Sequence, residues 1–229
     1  MQIYVRISGL GGQGAVTAAH ILGGAAVMDG KNALVNPFFG AEKRLAPAES
    51  YVRVSDEQIF DTGEILYPDV ILIFHPDVIL QGKSYTMPFF SGIKRDGIII
   101  VNSPKAIRFT DDEERRLNEL NVSVYFIPAT EIAKQVGGTE LSTNIAMLGA
   151  LLGITNIVSM DAMQGSLKER FGGKVKFVAS GSTAALDDHI KKQYDKVEKL
   201  IAANMDVLSE AYNRGETLVK TNKKQRIEV

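Results

Sequence analysis

A glycine-rich turn follows the first apolar segment of the chain and constrains the fold more than any other feature. Residues 2–8 have the composition of a buried strand, and Gly9, Gly11 and Gly14 follow before an alanine-rich helical segment. Glycines at this spacing allow positive φ angles and let an anion approach the backbone, while the next helix directs free N–H groups at the same point. The pattern predicts a strand, turn and helix of the dinucleotide-binding type.

Strand-like and helix-like segments alternate along the rest of the chain. We predict strands at 2–8, 33–36, 51–55, 69–74, 97–102 and 122–127, and helices at 14–29, 110–120, 130–136, 160–171 and 182–213. Such alternation favours a Rossmann-like α/β fold: an open, mostly parallel sheet with helices on both faces and a long C-terminal helix. The alternating segment 51–55 suggests an edge strand. We expect one domain over residues 1–215 and a short basic tail over 216–229.

Composition narrows the chemistry available to the chain. It contains no cysteine, which excludes disulfides, thiolate nucleophiles and cysteine-ligated iron–sulfur clusters or structural zinc. The formal net charge of −1 gives no basic excess of the kind that nucleic-acid surfaces carry. No apolar run approaches the roughly 18–20 residues that span a bilayer. We expect a cytoplasmic protein that contacts neither nucleic acid nor membrane.

The glycine turn lacks the usual partner of a dinucleotide site. An Asp or Glu at the end of the second strand normally holds the ribose hydroxyls, but here that strand ends in Asn36 followed by Pro37, Phe38 and Phe39. Three interpretations therefore stay open: a dinucleotide site, a site for another phosphate at a subunit interface, and a tight turn kept for packing.

Two further segments carry candidate functions. The loop containing Glu42, Lys43 and Arg44 offers cations that bind a phosphate or carboxylate, although internal ion pairs would explain it equally well. Residues 144–154 are apolar around nearly the whole helix circumference, so this helix is either central to the core or shared with a partner. Asn144 is expected to cap this helix or tie it to a loop. The three histidines do not have metal-ligand spacing, and we expect neither a metal site nor a catalytic residue.

Three stretches, in this order, resemble the gamma subunit of the 2-oxoacid:ferredoxin oxidoreductases. They are Gly9-Leu10-Gly11-Gly12-Gln13-Gly14 with the helix after it, Phe39-Gly40-Ala41-Glu42-Lys43-Arg44 with the strand at 51–55, and Asn144-Ile145-Ala146-Met147-Leu148-Gly149-Ala150-Leu151. The resemblance spans at least residues 3–171.

The resemblance implies a subunit that is inactive alone. Its complex would oxidise and decarboxylate a 2-oxoacid, usually to an acyl-CoA in anaerobic metabolism, and pass the electrons to ferredoxin. Thiamine diphosphate, Mg and [4Fe-4S] clusters would lie in alpha, beta and delta (ferredoxin-like) sister subunits, and the whole assembly would dimerise. Coenzyme A or another phosphate is expected at Gly9, Gly11, Gly12, Gln13, Gly14, Lys43 and Arg44, and a subunit interface at Phe38, Phe39, Glu42, Asn144, Met147 and Leu148.

Two alternatives compete with this assignment. One is a stand-alone NAD-dependent dehydrogenase of Rossmann type, and the other is a module that uses the glycine turn to bind a free nucleotide. The missing acidic ribose partner counts against the first. The apolar helix at 144–154 favours a permanent interface over a ligand switch, although a buried core helix would explain it equally well.

Overall fold

The chain forms a six-stranded mixed sheet with helices on both faces. The computed structural model describes residues 1–40, 46–172 and 184–227, and the side chains in these ranges other than those of 184–194 and 222–227. The strands are β1 (Gln2–Leu10), β2 (Asn32–Phe39), β3 (Pro47–Ser55), β4 (Val70–Ile73), β5 (Ile98–Asn102) and β6 (Ser123–Ile127). The helices are α1 (Ala15–Met28), α2 (Asp77–Leu80), α3 (Asp111–Glu119), α4 (Ala129–Gly137), α5 (Thr143–Thr155), α6 (Met160–Gly172) and α7 (Ala184–Ile227), with a 3₁₀ turn at Glu140–Ser142. The predicted fold class is confirmed.

Strand β1 lies in the middle of the sheet, whose order is β2-β3-β1-β4-β5-β6. It pairs parallel with β4 and antiparallel with β3, and β5 and β6 continue the parallel part. The carboxyl ends of β1, β4, β5 and β6 therefore meet at one edge. The predicted edge position of residues 51–55 is wrong, because β3 lies between β1 and β2 and the edge strand is β2.

The alternation that suggested an edge strand has a different cause. Polar side chains of β1 and β3 are buried under loops on one half of one sheet face. Arg6 donates hydrogen bonds to the carbonyls of Phe89 (2.8 Å) and Ser91 (3.0 Å), and Arg53 donates to those of Gly63 and Glu64. The other half of this face is apolar and packs against α2, α3 and the 89–93 segment.

The opposite face carries the larger apolar core. Inward side chains such as Ile7 and Val52 lie fully buried under α1, and α6 forms a second layer over α1. Ser166 of α6 donates a hydrogen bond of 2.8 Å to the carbonyl of Ile21, and it reaches this atom because Gly24 presents no side chain between the helices.

Helices α5 and α7 pack in parallel at unusually close range. A Cβ atom on Gly149 would overlap the carbonyl oxygen of Leu208, and one on Gly153 would overlap that of Tyr212. Gly215 lies 2.8 Å, measured from its ideal Cβ position, from the carbonyl oxygen of Ala150. The predicted end of the long helix at residue 213, just before Gly215, is wrong, because this glycine allows close helix packing and α7 continues to Ile227 through the segment expected to be a tail.

Two other predictions concern helix boundaries and membrane segments. The capping box that opens α3 is confirmed: the hydroxyl of Thr110 accepts a hydrogen bond from Glu113 N–H, and the Glu113 carboxylate accepts one from Thr110 N–H. Within the described ranges, none of the helices carries the apolar length that a bilayer crossing requires.

Candidate functional site

The glycine turn between β1 and α1 is fixed by backbone and side-chain hydrogen bonds. Gly12 and Gly14 have φ angles of 95° and 78°, which only glycine adopts without strain. Gln13 folds back over the turn, where its Oε1 accepts a hydrogen bond of 2.8 Å from Leu10 N–H. Gly11 N–H donates to the carbonyl of Ala46 at 2.8 Å. The turn is thus bonded to the residue that precedes β3 on one side and to its own strand on the other.

The turn forms one wall of a cleft with a volume of about 610 Å³ at the carboxyl edge of the sheet. The floor comes from the residues after β1, β4 and β5, and the other walls come from the starts of α4 and α5 and from α6 and α7. Its lining is Gly12, Gln13, Gly14, Thr17, Phe74, His75, Asn102, Thr130, Thr139, Glu140, Leu141, Ser142, Thr143, Asn144, Phe171, Leu200 and Asn204. Open α/β sheets bind their ligands at this position, where neighbouring strands lead to opposite sides.

Three helix N-termini converge on the cleft. Gly14 and Thr17 lie at the start of α1, Thr130 at the start of α4, and Asn144 at the start of α5. The free N–H groups and partial positive charge of a helix start favour an anion. Among the lining residues that the structure describes there is neither lysine nor arginine, so an anion here would be held by N–H and hydroxyl groups.

Asn102 ties the floor of the cleft together. Its Nδ2 donates to the carbonyl of Phe74 (3.0 Å) and to Oγ1 of Thr130 (2.9 Å), and its Oδ1 accepts from Thr130 N–H (3.2 Å). Thr143 extends the network: its hydroxyl donates to the carbonyl of Glu140 at 2.6 Å, and its Oγ1 lies 3.4 Å from Thr130 Oγ1. These contacts join the ends of β4 and β5 to the starts of α4 and α5.

His75 lies at the cleft immediately after β4. Its Nδ1 accepts a hydrogen bond of 3.1 Å from Asp77 N–H, which places the proton of the neutral ring on Nε2. The Asp77 carboxylate in turn binds Lys83 at 3.1 Å. His75 therefore adds one fixed N–H donor to a cleft whose other polar groups are amides and hydroxyls.

The structure brings part of the predicted phosphate-binding set to this cleft. Gly12, Gln13 and Gly14 line it. Gly9 and Gly11 belong to the same turn but do not line the cleft, and Gly9 packs against Phe74, whose Cβ lies 3.0 Å from an ideal Cβ on Gly9. Glu42, Lys43 and Arg44 lie outside the described residues.

The predicted interface residues divide into two groups. Phe38 and Phe39 are exposed at the end of β2, with Phe39 62% exposed. Met147 and Leu148 are fully buried among α1, α4 and α7 of the same chain, and so the structure favours the core interpretation of α5 over a shared interface. Asn144 lines the cleft, and its Oδ1 accepts from the N–H of the next residue, Ile145. This contact lies within α5, whose N-cap is Ser142, so it neither caps the helix nor ties it to a loop.

Most polar residues of the cleft were absent from the predicted set, among them Asn102, Asn204 and Thr130. Asn102 carried a signal in the sequence, because it is polar and directly follows a strand of isoleucine and valine. Asn204 also carried one, since it interrupts an apolar stripe of α7 that continues through Val207, Leu208 and Ala211. Thr130 had no distinguishing signal, because threonine is common near helix starts for local reasons.

A dinucleotide arrangement does not form at this turn. Strand β3 separates β1 from β2, so the end of β2 lies about 10 Å from β1 at ordinary strand spacing.

Within the described part of the chain, no three His, Asp or Glu side chains come close enough to hold a metal ion.

Comparison with known proteins identifies the fold and its family. The profile of the pyruvate ferredoxin/flavodoxin oxidoreductase family matches residues 4–185. The chain belongs to this family. It is 38% identical over 173 residues to pyruvate synthase subunit PorC of Methanothermobacter marburgensis, which covers 76% of this chain and 89% of that protein. It is 36% identical over 171 residues to the common gamma subunit of the pyruvate/ketoisovalerate oxidoreductases of Thermococcus kodakarensis, at 75% and 88% coverage.

Solved structures give the same result. The PORC subunit of pyruvate oxidoreductase from Thermotoga maritima superposes with a TM-score of 0.66 at 25% identity, over 93% of this chain and 96% of that one. The 2-oxoglutarate:ferredoxin oxidoreductase of Magnetococcus marinus, solved with 2-oxoglutarate, coenzyme A and succinyl-CoA, contains the fold in 31% of its chain at 23% identity and a TM-score of 0.66. The chain is thus a gamma-type subunit of an oxidoreductase.

Proposed function

We propose that this chain is the gamma subunit of a complex that oxidatively decarboxylates a 2-oxoacid, usually to an acyl-CoA, and passes the electrons to ferredoxin. The relatives named as pyruvate synthase and pyruvate/ketoisovalerate oxidoreductase subunits support this assignment. In Thermococcus kodakarensis one gamma subunit is common to two oxidoreductases. We therefore infer that other subunits select the 2-oxoacid.

The cofactors of the reaction would belong to alpha, beta and delta (ferredoxin-like) sister subunits in a complex that dimerises as a whole. Thiamine diphosphate with Mg would supply the carbanion chemistry, and [4Fe-4S] clusters would carry the electrons. This chain has no cysteine and so offers no thiolate to a cluster. A cysteine-free sequence also fits a reducing compartment, and we place the complex in the cytoplasm.

The role we propose for this chain is to hold coenzyme A at the cleft. The single observation that carries this role is the convergence of the glycine turn with the starts of α1, α4 and α5 on one cleft of about 610 Å³. Phosphate groups suit such a site, because backbone N–H groups bind them without a side chain. Arg44 lies two residues before Ala46, which contacts the glycine turn, and Lys43 and Arg44 would add cations for a phosphate.

In this arrangement the chain binds and orients one substrate but makes no bond. The phosphates would sit at the glycine turn, where Gly12 and Gly14 leave the backbone bare. The thiol end would leave the cleft past Leu141 and Leu200, which are exposed at its walls, and reach the acyl group on the sister subunit. Apolar side chains there would also limit the access of water to the acyl group.

Substitutions in the assembled complex test the coenzyme A role. A Cβ on Gly12 meets no atom within 4 Å, so a Gly12→Val side chain would project into the cleft. We expect Gly12→Val and Arg44→Ala each to raise the KM for coenzyme A by about tenfold, the equivalent of one charge-assisted hydrogen bond. Gly30→Val is the matched control, because Gly30 also has a positive φ (73°) and open space but lies outside the cleft. An unchanged KM in both cleft variants would refute the role.

The exposed end of β2 is our proposed contact with a sister subunit. Phe38 packs edge-on against Tyr85 with ring centroids 4.9 Å apart, and Phe39 and Met87 are exposed beside this pair in sequence. We expect Phe39→Ser to reduce recovery of the complex when the subunits are co-expressed. Val27→Ser is the control, since Val27, near the C-terminal end of α1, is as exposed (61%) as Phe39.

The alternative of a stand-alone nicotinamide enzyme makes a different prediction. A free chain that bound NAD would melt at a higher temperature in its presence, by mass action. We expect no such shift for the isolated chain, and we expect the native protein to co-purify with iron-containing partners. A monomer that is stabilised by NAD or ATP would support the alternative.

A further inference from the structure

Asn204 is a buried polar residue that faces the cleft from α7. It is 2% exposed, lines the cleft, and lies beyond residue 185, where the match to the family profile ends. Its neighbours along the same helix face, Val207, Leu208 and Ala211, are fully buried and apolar. Because α5 and α7 run parallel with Gly149 against Leu208, Asn204 lies one turn earlier, beside the start of α5.

The side-chain oxygen of Asn204 has an unmet hydrogen-bonding requirement. No donor within the described part of the chain reaches Oδ1, although the atom is shielded from bulk water. Buried acceptors are nearly always paired in folded proteins, since desolvation without a partner is costly. An apolar residue of the same size would complete the α5–α7 contact without this cost. Because Asn204 lines the cleft, rotation of its side-chain amide would turn this unpaired oxygen toward a ligand bound there.

We propose that Asn204 accepts a hydrogen bond from an N–H group of the ligand in the cleft and selects for a ligand that carries one. This inference rests on the proposed binding of coenzyme A. Coenzyme A offers N–H donors in two places, the exocyclic amine of adenine and the two amides of pantetheine. Both present the same chemistry to a carbonyl oxygen, and the fragments of the molecule distinguish them.

The test compares Asn204→Leu with wild type in the assembled complex. Leucine keeps the volume and removes the acceptor. We expect a Kd for coenzyme A about tenfold higher, because one hydrogen bond in a water-poor site is lost. Competition by adenosine 3′,5′-bisphosphate and by pantetheine is measured beside it. The fragment whose competition weakens in the variant carries the N–H group, and weakening of either one supports the proposal.

Stability provides a second readout that separates ligand binding from a structural role. If Asn204 binds the ligand and has no structural role, then Asn204→Leu should raise or preserve the melting temperature of the ligand-free complex, since it removes an unpaired buried acceptor. A lower melting temperature together with an unchanged Kd would overturn the proposal and indicate a structural asparagine. Asn213→Leu, the same change at an exposed position of α7, is the control.

The Gly12→Val variant distinguishes failure of this inference from failure of the proposed function. If Gly12→Val weakens coenzyme A binding and Asn204→Leu does not, the Asn204 proposal is wrong and the cleft assignment stands. If Gly12→Val, Arg44→Ala and Asn204→Leu all leave the Kd unchanged, both are wrong.

Discussion

Gly14 and Asn144 lie so close together that a Cβ atom on Gly14 would stand 2.7 Å from Nδ2 of Asn144. The start of α1 thereby meets the start of α5, and the two ends face the cleft together. This contact depends on a glycine for two reasons, the missing side chain and the φ angle of 78°.

Replacing Gly14 by alanine should therefore cost more stability than backbone strain alone. Strain in the left-handed region costs about 1–2 kcal/mol for a residue with a Cβ, and the clash with Asn144 adds about 1–3 kcal/mol. Urea unfolding of Gly14→Ala and Gly30→Ala would separate the two, because a Cβ on Gly30 meets no atom within 4 Å at a similar φ of 73°. Equal losses in the two variants would mean that the Asn144 contact contributes nothing.

The α5–α7 contact leads to a second prediction. Gly149→Val forces a side chain into the carbonyl of Leu208, and overpacking of this kind costs about 1–3 kcal/mol or more. For a chain of this size each kcal/mol lowers the melting temperature by about 2–4 °C, so we expect a drop of about 2–12 °C by circular dichroism. Ala202→Val on the exposed face of α7 should change it little. A similar drop in both would indicate that loss of helix propensity, not packing, is responsible.

We predict that replacing the Glu49 carboxylate strongly destabilises the fold. It is fully buried and accepts hydrogen bonds from Ser84 Oγ, Thr86 N–H, Thr86 Oγ1 and Tyr51 OH at 2.7–3.0 Å. Burial lowers the pKa of Arg6, and the Glu49 carboxylate opposes that shift. Because Glu49→Ala would leave the Arg6 charge uncompensated, we expect a loss of about 3–5 kcal/mol in unfolding free energy.

Chemical denaturation would measure this loss. The exposed Glu57→Ala variant should stay within about 0.5 kcal/mol of wild type. Should the two variants behave alike, the 84–86 loop would have to be held by something other than the carboxylate.

Tyr51 should make the chain less stable at alkaline pH. Burial raises the pKa of its phenol, and the adjacent Glu49 carboxylate raises it further. The unfolded chain loses this proton above its ordinary pKa of about 10, while the folded chain keeps it. The contribution is therefore complete below pH 10 and is lost as the pH rises above it, by up to about 1.4 kcal/mol per pH unit.

Unfolding free energies of wild type and Tyr51→Phe between pH 8 and 11 test this prediction. The values at pH 8 measure the lost hydrogen bond to Glu49, and the difference in slope above pH 10 measures the titration. Parallel curves across the whole range would contradict a raised pKa for Tyr51.

Sequence reasoning predicted the parallel strands within two residues at each end, because buried parallel strands are rich in valine, isoleucine and leucine, but it made the antiparallel pair β2 and β3 three to four residues too short at one end. It failed where side chains served a tertiary contact. The alternation around Arg53 was taken as exposure to water, but that face lies under loops whose carbonyls bind the guanidinium. Gly215 was taken as a helix stop, but it makes room for Ala150 of a neighbouring helix.

Only part of the candidate site could be predicted from the sequence, because its other residues come together only in the tertiary structure. The glycine turn is a local motif, and its spacing predicted a ligand-binding turn that ends at Gly14, whereas Gly12 was expected only from the family resemblance. Asn102 and Asn204 reach the cleft through strand order and through the α5–α7 register, and neither is encoded in nearby residues. Their identity as isolated polar residues in apolar surroundings was the only sequence signal available.

The two ends of the chain build opposite walls of the cleft, and this has a consequence for biosynthesis. Gly14 leaves the ribosome early, whereas Asn204 follows it 190 residues later. A nascent chain can form the sheet before α7 has been made, but its cleft then lacks one wall. The proposed capture of coenzyme A would therefore require a chain that has been synthesised beyond Asn204, and shorter copies would not sequester it.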